Sequence, residues 1–325
     1  MSQDTTAALA RLPSADLALA TIAERARDYA GQAKAANTLR AYRADWDDFT
    51  TWCAHHGLVT LPAAPETVAV YLTHLAELGR KPATLGRRLS AISQAHQLAG
   101  HASPTKSAIV KETHRGIRRA LGTRQEGKAP AVTADIRRMV DALPGGLLGI
   151  RDRALLLVGF AGAFRRSELV GLDLQDVKET ADGLVITLRR SKTDQEGRGQ
   201  QIGIPYGSTP TTCPVRALKA WRKSAKIQDG SLFRPVDRHG NLKPGRLSDK
   251  AVALVVKRSA AAAGLDAASY SGHSLRAGLA TSAAAAGVSE RAIMAQTGHK
   301  SVTMVRRYIR DGSLFRENAA AGVGL

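Results

Sequence analysis

Apolar residues recur at helical spacing throughout the first third of the chain. The pattern predicts five helices, at residues 17–30, 38–55, 65–78, 83–98 and 107–121. A glycine follows four of these segments closely, as expected at helix C-termini, at positions 57, 79, 100 and 122. Because strand patterns are hard to find here, the sequence predicts a small helical bundle.

Four aromatic side chains fall on one face of the second predicted helix. Tyr42, Trp46, Phe49 and Trp52 are spaced i, i+4, i+7 and i+10. Such a stripe could stack on nucleic-acid bases, but stacking platforms are usually presented on sheets or loops. We therefore interpret the stripe as part of a hydrophobic core.

The remainder of the chain mixes helical and strand-like patterns. Helices are predicted at residues 133–142, 150–160, 213–224, 248–263, 273–286, 290–297 and 301–310. Residues 184–188 and 201–204 alternate like strands, and the polar stretch 194–199 between them indicates a turn. Lys192 is thereby predicted at the rim of a β-hairpin. The predicted fold class is mainly α with a small β-sheet (α+β).

The length of the chain indicates two domains, and its net charge indicates the kind of partner that it binds. The 325 residues, 44% of them hydrophobic, suffice for two cores. Lys and Arg number 47 against 28 Asp and Glu, a net charge of +19, which favours a polyanion such as nucleic acid. A basic protein from a GC-rich genome is the plainer alternative. Six Lys or Arg crowd residues 111–128, so we predict a basic linker at 124–130.

Several classes of protein are disfavoured by the composition. Cys53 and Cys213 lack paired spacing, so neither a disulfide framework nor a zinc site is predicted. The N-terminus does not resemble a signal peptide, and no apolar run approaches a membrane-spanning length. The sequence therefore predicts a cytoplasmic protein without a membrane partner.

Two arginines and a histidine are candidates for phosphate binding. His273 and Arg276 lie three apart at a predicted helix start, where a guanidinium fork and an imidazole share one face. Arg165 has Glu168 three residues later as a same-face partner, which favours it over its rival Arg166. Either pair taken alone could be an ordinary surface pair.

A tyrosine and two further basic residues complete the candidate site. Tyr308 lies among arginines, after Gly298-His299, and Lys192 belongs to the predicted hairpin. A tyrosine near a C-terminus is usually a packing residue, but the company of Arg165, Lys192, His273, Arg276 and His299 suits attack on a phosphodiester without a metal ion.

The order Arg, Lys, His-x-x-Arg, His and Tyr resembles the tyrosine recombinase (phage integrase) family, including its Cre-like members. The interval of 308 − 299 = 9 residues from His299 to Tyr308 agrees with that family's final pair. Residues 37–53 and 83–92 resemble two helices of the Cre-type core-binding domain. The resemblance extends over residues 36–310.

The resemblance implies a role for each candidate. Tyr308 would attack the scissile phosphate and form a 3′-phosphotyrosyl link, while Arg165 and Arg276 hold the non-bridging oxygens. Lys192 would protonate the leaving 5′-oxygen. The remaining roles fall to His273 (proton transfer from the tyrosine), His299 (a hydrogen bond to the phosphate) and Glu168 (support of Arg165). No metal ion, ATP or other cofactor is implied.

The same resemblance implies a domain plan. A flexible N-terminus (1–16) precedes a helical core-binding, DNA-binding domain (17–123), the basic linker (124–130), a catalytic domain (131–310) and a tail (311–325). The tail could be a disordered terminus or a short helix that docks on a neighbouring protomer, and its apolar Leu314 and Phe315 favour docking. The two domains would form a C-shaped clamp around DNA.

The implied partner is double-stranded DNA with inverted-repeat half-sites. A homodimer would bind one site and a homotetramer would hold the synapse, in a cytoplasmic protein that joins the nucleoid when bound. DNA contacts are predicted at Arg40, Arg87, Arg88, Arg118 and Arg119. Two alternatives stay open at this point: a type IB topoisomerase-like nicking and resealing enzyme, and a catalytically silent DNA-binding protein on the same fold.

Overall fold

The computed structural model describes residues 21, 22, 24, 25, 29, 34–123, 127–189, 199–299, 301–303, 305, 306 and 308. The chain separates into two compact units between residues 126 and 127. Several sequence predictions lie largely or wholly outside the described residues: the helix at 17–30, the turn at 194–199, the tail at 311–325 and Lys192. None of the described helices is long and apolar enough to cross a membrane.

The first unit is helical in its described part, as predicted. Its helices are α1 (Ala36–His55), α2 (Pro65–Glu77), α3 (Pro82–Leu98) and α4 (Ala108–Leu121). Proline occupies the first position of α2 and α3, where its missing N–H has no intrahelical partner to lose. The Ser107 hydroxyl accepts a hydrogen bond from the Val110 N–H at the start of α4.

The aromatic stripe on α1 packs inward for most of its length. Phe49 is fully buried with Tyr71 in the core of this unit, and Trp46 and Trp52 pack against the same cluster. Tyr42 differs, since it is only partly buried and lies 5.2 Å (ring centroid) from the Lys34 ammonium. The core interpretation is thus confirmed for three of the four residues.

A buried arginine in the same unit has acidic partners. Arg88 is 9% exposed and donates from Nη2 to Asp48 (3.0 Å) and from Nη1 to the Tyr71 hydroxyl (2.6 Å). Its Nε lies 3.8 Å from a carboxylate oxygen of the buried Asp45. Arg88 therefore belongs to the domain interior and not to a DNA surface, contrary to the sequence prediction. Sequence spacing cannot tell an inward-facing arginine from an outward-facing one beside it.

The second unit combines helices with one small sheet. The helices are α5 (Thr133–Asp141), α6 (Gly146–Ala161), α7 (Arg166–Gly171), α8 (Pro214–Ser224), α9 (Asp249–Ala262), α10 (Ser274–Ala285) and α11 (Glu290–Thr297). The sequence did not predict α7, because six residues are too few to establish a helical period. Residues 302, 303, 305, 306 and 308 are also helical.

The sheet contains three antiparallel strands in the order β1 (Val177–Glu179), β2 (Gly183–Leu188) and β3 (Gln200–Pro205). Leu184 pairs with Ile204 and Ile186 with Ile202, so the buried apolar residues of β2 and β3 share one face. Both predicted strands are confirmed, while the three-residue β1 was not predicted. The fold class, mainly α with a small sheet, is confirmed.

One close approach fixes the start of α10. The Ala131 N–H donates to the Ser274 carbonyl (2.9 Å), which brings the chain before α5 against α10. A Cβ atom at Gly278 would lie 1.9 Å from the Ala131 carbonyl oxygen, so only glycine permits this contact. The helix that carries Arg276 is thereby held against the beginning of the unit.

Candidate active site

Segments far apart in the chain bring five of the six predicted catalytic residues together. Arg165 immediately precedes α7, His273 precedes α10, and Arg276 lies in the first turn of α10. His299 follows α11 by two residues, and Tyr308 belongs to the helical residues beyond it. Their contacts, given below, define one site within the second unit. Lys192 lies outside the described residues.

Tyr308 and His273 are in direct contact. The Tyr308 hydroxyl lies 3.0 Å from His273 Nε2. Val305, one turn before the tyrosine, is fully buried in a small cluster with Ala280, Ala284 and Ile293, and Tyr308 packs against this cluster. The tyrosine is therefore placed by packing against helices of its own chain.

An ion pair with Arg306 reinforces this placement. Its Nε lies 3.1 Å from a carboxylate oxygen of Glu290, the first residue of α11. Because Arg306 is largely exposed, the pair is worth at most about 1 kcal/mol. It nevertheless restricts the direction of the turn that presents Tyr308.

A buried carboxylate orients Arg165. Glu168, 7% exposed, accepts from the Arg165 guanidinium (Nη1–Oε1, 2.5 Å) and from the Arg165 backbone N–H (2.8 Å). The three-residue spacing predicted that Glu168 would hold Arg165, and the structure places Arg165 just before α7 and Glu168 within it. Both carboxylate oxygens are therefore committed to Arg165.

The rival residue Arg166 is placed differently. Its side chain is 42% exposed and its guanidinium lies 3.8 Å from Asp249 at the start of α9. Arg166 thus makes a loose surface ion pair, while Arg165 is the arginine held by a buried carboxylate. This difference supports the choice of Arg165 as the site arginine.

Arg276 is buried, and none of the described carboxylates forms an ion pair with it. It is 2% exposed, and its Nη1 donates to the Ala163 carbonyl (2.8 Å), while its Nη2 has no hydrogen-bond partner among the described residues. Burial, together with the positive charge of Arg165, lowers the pKa of Arg276 to about 10, despite the opposing influence of Glu168 and Tyr308. Arg276 still carries its charge at neutral pH, but its surroundings balance that charge incompletely and favour an anion beside it.

His299 is held as a neutral imidazole by its neighbours. Thr297 Oγ1 donates its single proton to the Ile293 carbonyl (2.7 Å), so it must accept from His299 Nδ1, also 2.7 Å away. Burial, and then the positive charges of Arg276 and Arg165 with a smaller electrostatic influence of His273, lower the pKa of His299 to about 4. At neutral pH the proton is thus on Nδ1, and Nε2 carries a lone pair.

Two residues that sequence reasoning missed contribute to this geometry. Ala163 has φ = 49°, in the left-handed region that an alanine rarely adopts, and its carbonyl is the acceptor for Arg276. No sequence signal reveals such a backbone conformation. Thr297 could have been suspected as a polar residue immediately before the Gly-His pair. No group of three or more His, Cys, Asp or Glu side chains among the described residues could hold a metal ion.

The predicted DNA contacts other than Arg88 lie at the surface of the first unit. Arg118 and Arg119 are exposed on α4. Arg87 lies 2.7 Å from Asp45, and Arg40 donates to Asn37 (3.1 Å), both with exposed guanidinium groups. These four arginines are accessible to a partner.

Comparisons with known proteins identify the family of the chain. Residues 132–313 match the phage integrase family, and residues 28–103 match its N-terminal SAM-like domain. The chain is 46% identical over 292 residues to an integrase/recombinase xerD homolog of Selenomonas ruminantium, covering 89% of this chain and 85% of the relative. Identity to recombinase cre of Escherichia phage P1 is lower, 25% over 282 residues, covering 81% and 80%.

A solved structure shares the fold. The XerH site-specific recombinase, crystallised after cleavage of a palindromic difH substrate, superimposes with a TM-score of 0.58 over 79% of this chain and 72% of that chain, at 18% identity. The family match covers more than half of the chain, and the Selenomonas relative is similar across most of both chains. The chain therefore belongs to the phage integrase family and is a site-specific tyrosine recombinase.

Proposed function

We propose that this recombinase cleaves and rejoins double-stranded DNA with Tyr308 as the nucleophile. The observation that carries the proposal is the 3.0 Å contact between the Tyr308 hydroxyl and His273 Nε2. Arg165 and Arg276 lie near this contact, since both Arg165 and Tyr308 influence the pKa of Arg276 electrostatically. A phenol beside an imidazole and two guanidinium groups is equipped to attack a phosphodiester.

The cleavage step requires that the Tyr308 hydroxyl lose a proton and that the leaving 5′-oxygen gain one. His273 Nε2 takes the phenolic proton as the Tyr308 oxygen bonds to phosphorus. The bond from phosphorus to the 5′-oxygen breaks, and Lys192 gives that oxygen a proton. The product is a 3′-phosphotyrosyl link and a free 5′-hydroxyl. Attack by the 5′-hydroxyl of a partner strand reverses these transfers, so resealing needs neither ATP nor a metal ion.

The two arginines hold the phosphate through its non-bridging oxygens. Arg276 Nη2 lacks a hydrogen-bond partner among the described residues, and a phosphate oxygen would supply the missing acceptor. Arg165 is oriented by Glu168 toward the same anion. The charge that builds up on these oxygens as the phosphorus becomes five-coordinate strengthens both interactions, which lowers the barrier.

His299 donates to the phosphate only after it gains a proton. Its Nδ1–H is occupied by Thr297, so a donor at Nε2 requires the imidazolium form. A bound phosphate offsets the neighbouring positive charges that depress the pKa of His299. We therefore propose that DNA binding is accompanied by proton uptake at this residue.

DNA recognition is proposed for the exposed basic surface of the first unit. The chain has a net charge of +19, and exposed basic residues on α4 are Lys111, Arg115, Arg118 and Arg119. Tyr308 packs on α10 and α11 of its own chain. This packing supports delivery of the tyrosine in cis, that is, to the active site of the same protomer. The dimer on inverted half-sites, the synaptic tetramer, the clamp arrangement and the cytoplasmic location stay predictions.

A suicide duplex tests the nucleophile. DNA nicked beside the scissile phosphate loses a short fragment after cleavage and traps the covalent complex, which is resolved on a denaturing gel in EDTA. A pool of candidate sites replaces the single duplex while the target is unknown. We expect a covalent band for the unaltered protein, no band for Tyr308→Phe despite retained DNA binding, and a normal band for Tyr206→Phe. Tyr206 is an exposed tyrosine bonded to Lys219, so it provides a matched control.

Persistence of the band in Tyr308→Phe would reject the nucleophile assignment. Binding without any band, for the unaltered protein on every substrate, would favour the silent DNA-binding alternative. Efficient relaxation of supercoiled plasmids that lack a trapped site would favour the topoisomerase alternative, because relaxation needs neither a defined site nor a tetramer.

A further inference from the structure

The turn that ends α6 places an alanine in an unfavourable backbone conformation. The Ala163 N–H donates to the Phe160 carbonyl (3.0 Å), and the Phe164 N–H donates to the Gly159 carbonyl (3.2 Å). This pair of hydrogen bonds is the Schellman arrangement, in which glycine usually occupies the position that Ala163 takes here with φ = 49°. A residue other than glycine persists in this conformation only where the surrounding structure holds the backbone.

Two side chains from other helices hold this turn. The Ala161 carbonyl, the last of α6 and without a partner inside the helix, accepts from Gln296 Nε2 (2.7 Å). The Ala163 carbonyl accepts from Arg276 Nη1 (2.8 Å). Arg165 follows two residues later, so the turn leads directly to the second site arginine. Gln296 and Arg276 therefore support one short backbone segment, at carbonyls two residues apart.

The amide of Gln296 is itself held by the sheet. Its Nε2 also donates to the Gly203 carbonyl of β3 (3.1 Å), the last strand in the order β1-β2-β3. Because the two amide protons have two different carbonyl acceptors, the plane of the amide is fixed between the strand and the turn. The next residue of α11 is Thr297, whose hydroxyl bonds His299. Neighbouring positions at the end of α11 thus contact both sides of the phosphate site.

We propose that Gln296 is a positioning residue that holds the turn at residues 161–165 so that Arg276 and Arg165 face the same phosphate. The inference rests on the proposed contact of these arginines with the scissile phosphate. Gln296 does not touch the reacting atoms. It fixes the backbone that supplies the acceptor for Arg276, and a misplacement of about 1 Å in a positioning group can slow a reaction ~100-fold.

A change in the charge of the substrate separates positioning of the arginines from general damage. In one suicide duplex a methyl group replaces a non-bridging oxygen of the scissile phosphate, so that less negative charge develops during cleavage and guanidinium contacts matter less. Cleavage is measured under single-turnover conditions at saturating protein on this duplex and on the ordinary one. Each variant is compared with the unaltered protein on the same duplex. The reference is Arg276→Gln, and the stereoisomer on which it loses least is used throughout.

We expect Gln296→Met, which keeps side-chain length but removes both donors, to cleave the ordinary duplex roughly tenfold more slowly. The loss on the methyl-substituted duplex should stay within about threefold, because arginine placement matters less there. Arg276→Gln should show the same pattern with larger losses. Addition of Ala163→Gly to Gln296→Met should recover most of the ordinary rate, since glycine adopts the left-handed conformation without support. Gln296→Glu also removes the amide donors and carries the test if Gln296→Met does not fold.

Gln200→Met is the matched control. Gln200 Nε2 donates to the Ala295 carbonyl (2.9 Å), so it joins the same strand to the same helix and has no hydrogen bond to the turn among the described residues. This variant should cleave both duplexes at the unaltered rates.

The role of Gln296 alone would be overturned by any of four results: no slowing in Gln296→Met, equal slowing on both duplexes, an equal loss in Gln200→Met, or no recovery with Ala163→Gly. A reference variant Arg276→Gln that loses no rate, or loses the same factor on both duplexes, would instead reject the proposed phosphate contact of Arg276, and the inference with it.

Discussion

Two buried arginines show how the two units of this protein use the same side chain differently. Arg88, in the first unit, is bonded to Asp48 and Tyr71, with Asp45 nearby. Burial by itself would lower the pKa of Arg88, but Tyr71, Asp48 and Asp45 outweigh it and raise the pKa above its ordinary value. Its charge is balanced within the fold.

Arg276, in the second unit, is buried more deeply than Arg88, and neighbouring groups balance its positive charge less completely. Its described partner is the neutral Ala163 carbonyl, one of its N–H groups has no acceptor among the described residues, and its pKa is lowered to about 10 by burial and by Arg165. The difference teaches that burial of an arginine does not reveal its purpose. What separates Arg88 from Arg276 is whether the charge is balanced: carboxylates balance the guanidinium of Arg88, whereas Arg276 has a second cation, Arg165, beside it and favours an anion.

The largest effect should come from removing the unbalanced arginine. We expect Arg276→Gln to reduce covalent cleavage of the suicide duplex by at least ~100- to 1,000-fold, because a transition-state contact is lost. Its folding stability should stay equal or rise, since a buried charge without a carboxylate disappears. Cleavage rates and urea unfolding test both parts. A strong loss of stability would show that Arg276 is a structural arginine after all.

Removal of Arg88, whose charge is balanced, should lower the stability of the protein and leave its cleavage activity nearly unchanged. Arg88→Met leaves Asp45 and Asp48 without their shared partner and should destabilise the first unit by about 3 kcal/mol, near the low end for a broken buried pair because Asp48 is half exposed. Cleavage per folded molecule should change little. Arg87→Met is the control, since the Arg87 side chain is 43% exposed and its pair with Asp45 should be worth at most about 1 kcal/mol.

Two histidines extend the comparison to pH. Burial and nearby cations lower the pKa of His299 to about 4 from its ordinary value of 6.5, so the folded protein disfavours a proton that the unfolded chain binds. Its contribution to stability is therefore fully present above pH 6.5 and is lost as the pH falls toward 4. We expect His299→Gln to reduce the acid-induced loss of unfolding free energy by on the order of 1–3 kcal/mol, measured by urea unfolding at several pH values.

His96 provides the contrast in the first unit. Its Nε2 accepts from the Ala63 N–H (2.8 Å) and its Nδ1 bonds the Ile92 carbonyl (2.8 Å), in a fully buried position where burial lowers its pKa. His96→Gln should thus lower stability at neutral pH, where the equivalent change at His299 does not remove a backbone hydrogen bond, because the Ala63 N–H loses its acceptor. Bound DNA should raise the pKa of His299, followed by NMR, and leave that of His96 unchanged. Equal behaviour of the two histidines would contradict the distinction.

The smallest effect concerns the hydroxyl that sets the tautomer of His299. Thr297→Val keeps the shape of the side chain but removes the acceptor for His299 Nδ1 and the donor to Ile293. We expect roughly tenfold slower cleavage, an altered pH profile, and a loss of about 1 kcal/mol in stability. Thr297→Ser should restore both rate and profile. An unchanged pH profile in Thr297→Val would show that the threonine contributes packing alone.

The sequence by itself determined the helices, the strands of the hairpin and most of the chemistry of the site. Apolar periodicity predicted α1 to α4 because each helix buries one face, and alternation predicted β2 and β3 because the sheet covers a core on one side. Charge excess and the ordered set of Arg165, Lys192, His273, Arg276, His299 and Tyr308 led to the recombinase family. These are properties of local spacing and residue type.

Only the tertiary structure decided which charged and polar side chains find a neighbour that balances their charge or satisfies their hydrogen bonds. Arg87 and Arg88 are neighbours in sequence, yet one faces outward and the other is bonded inside the first unit. The left-handed turn at Ala163 and the hydrogen bonds of Gln296 join residues more than 90 positions apart. The electrostatic state of a side chain depends on its distance from every neighbouring charge and on its exclusion from water, and both are set by long-range contacts that no local pattern encodes.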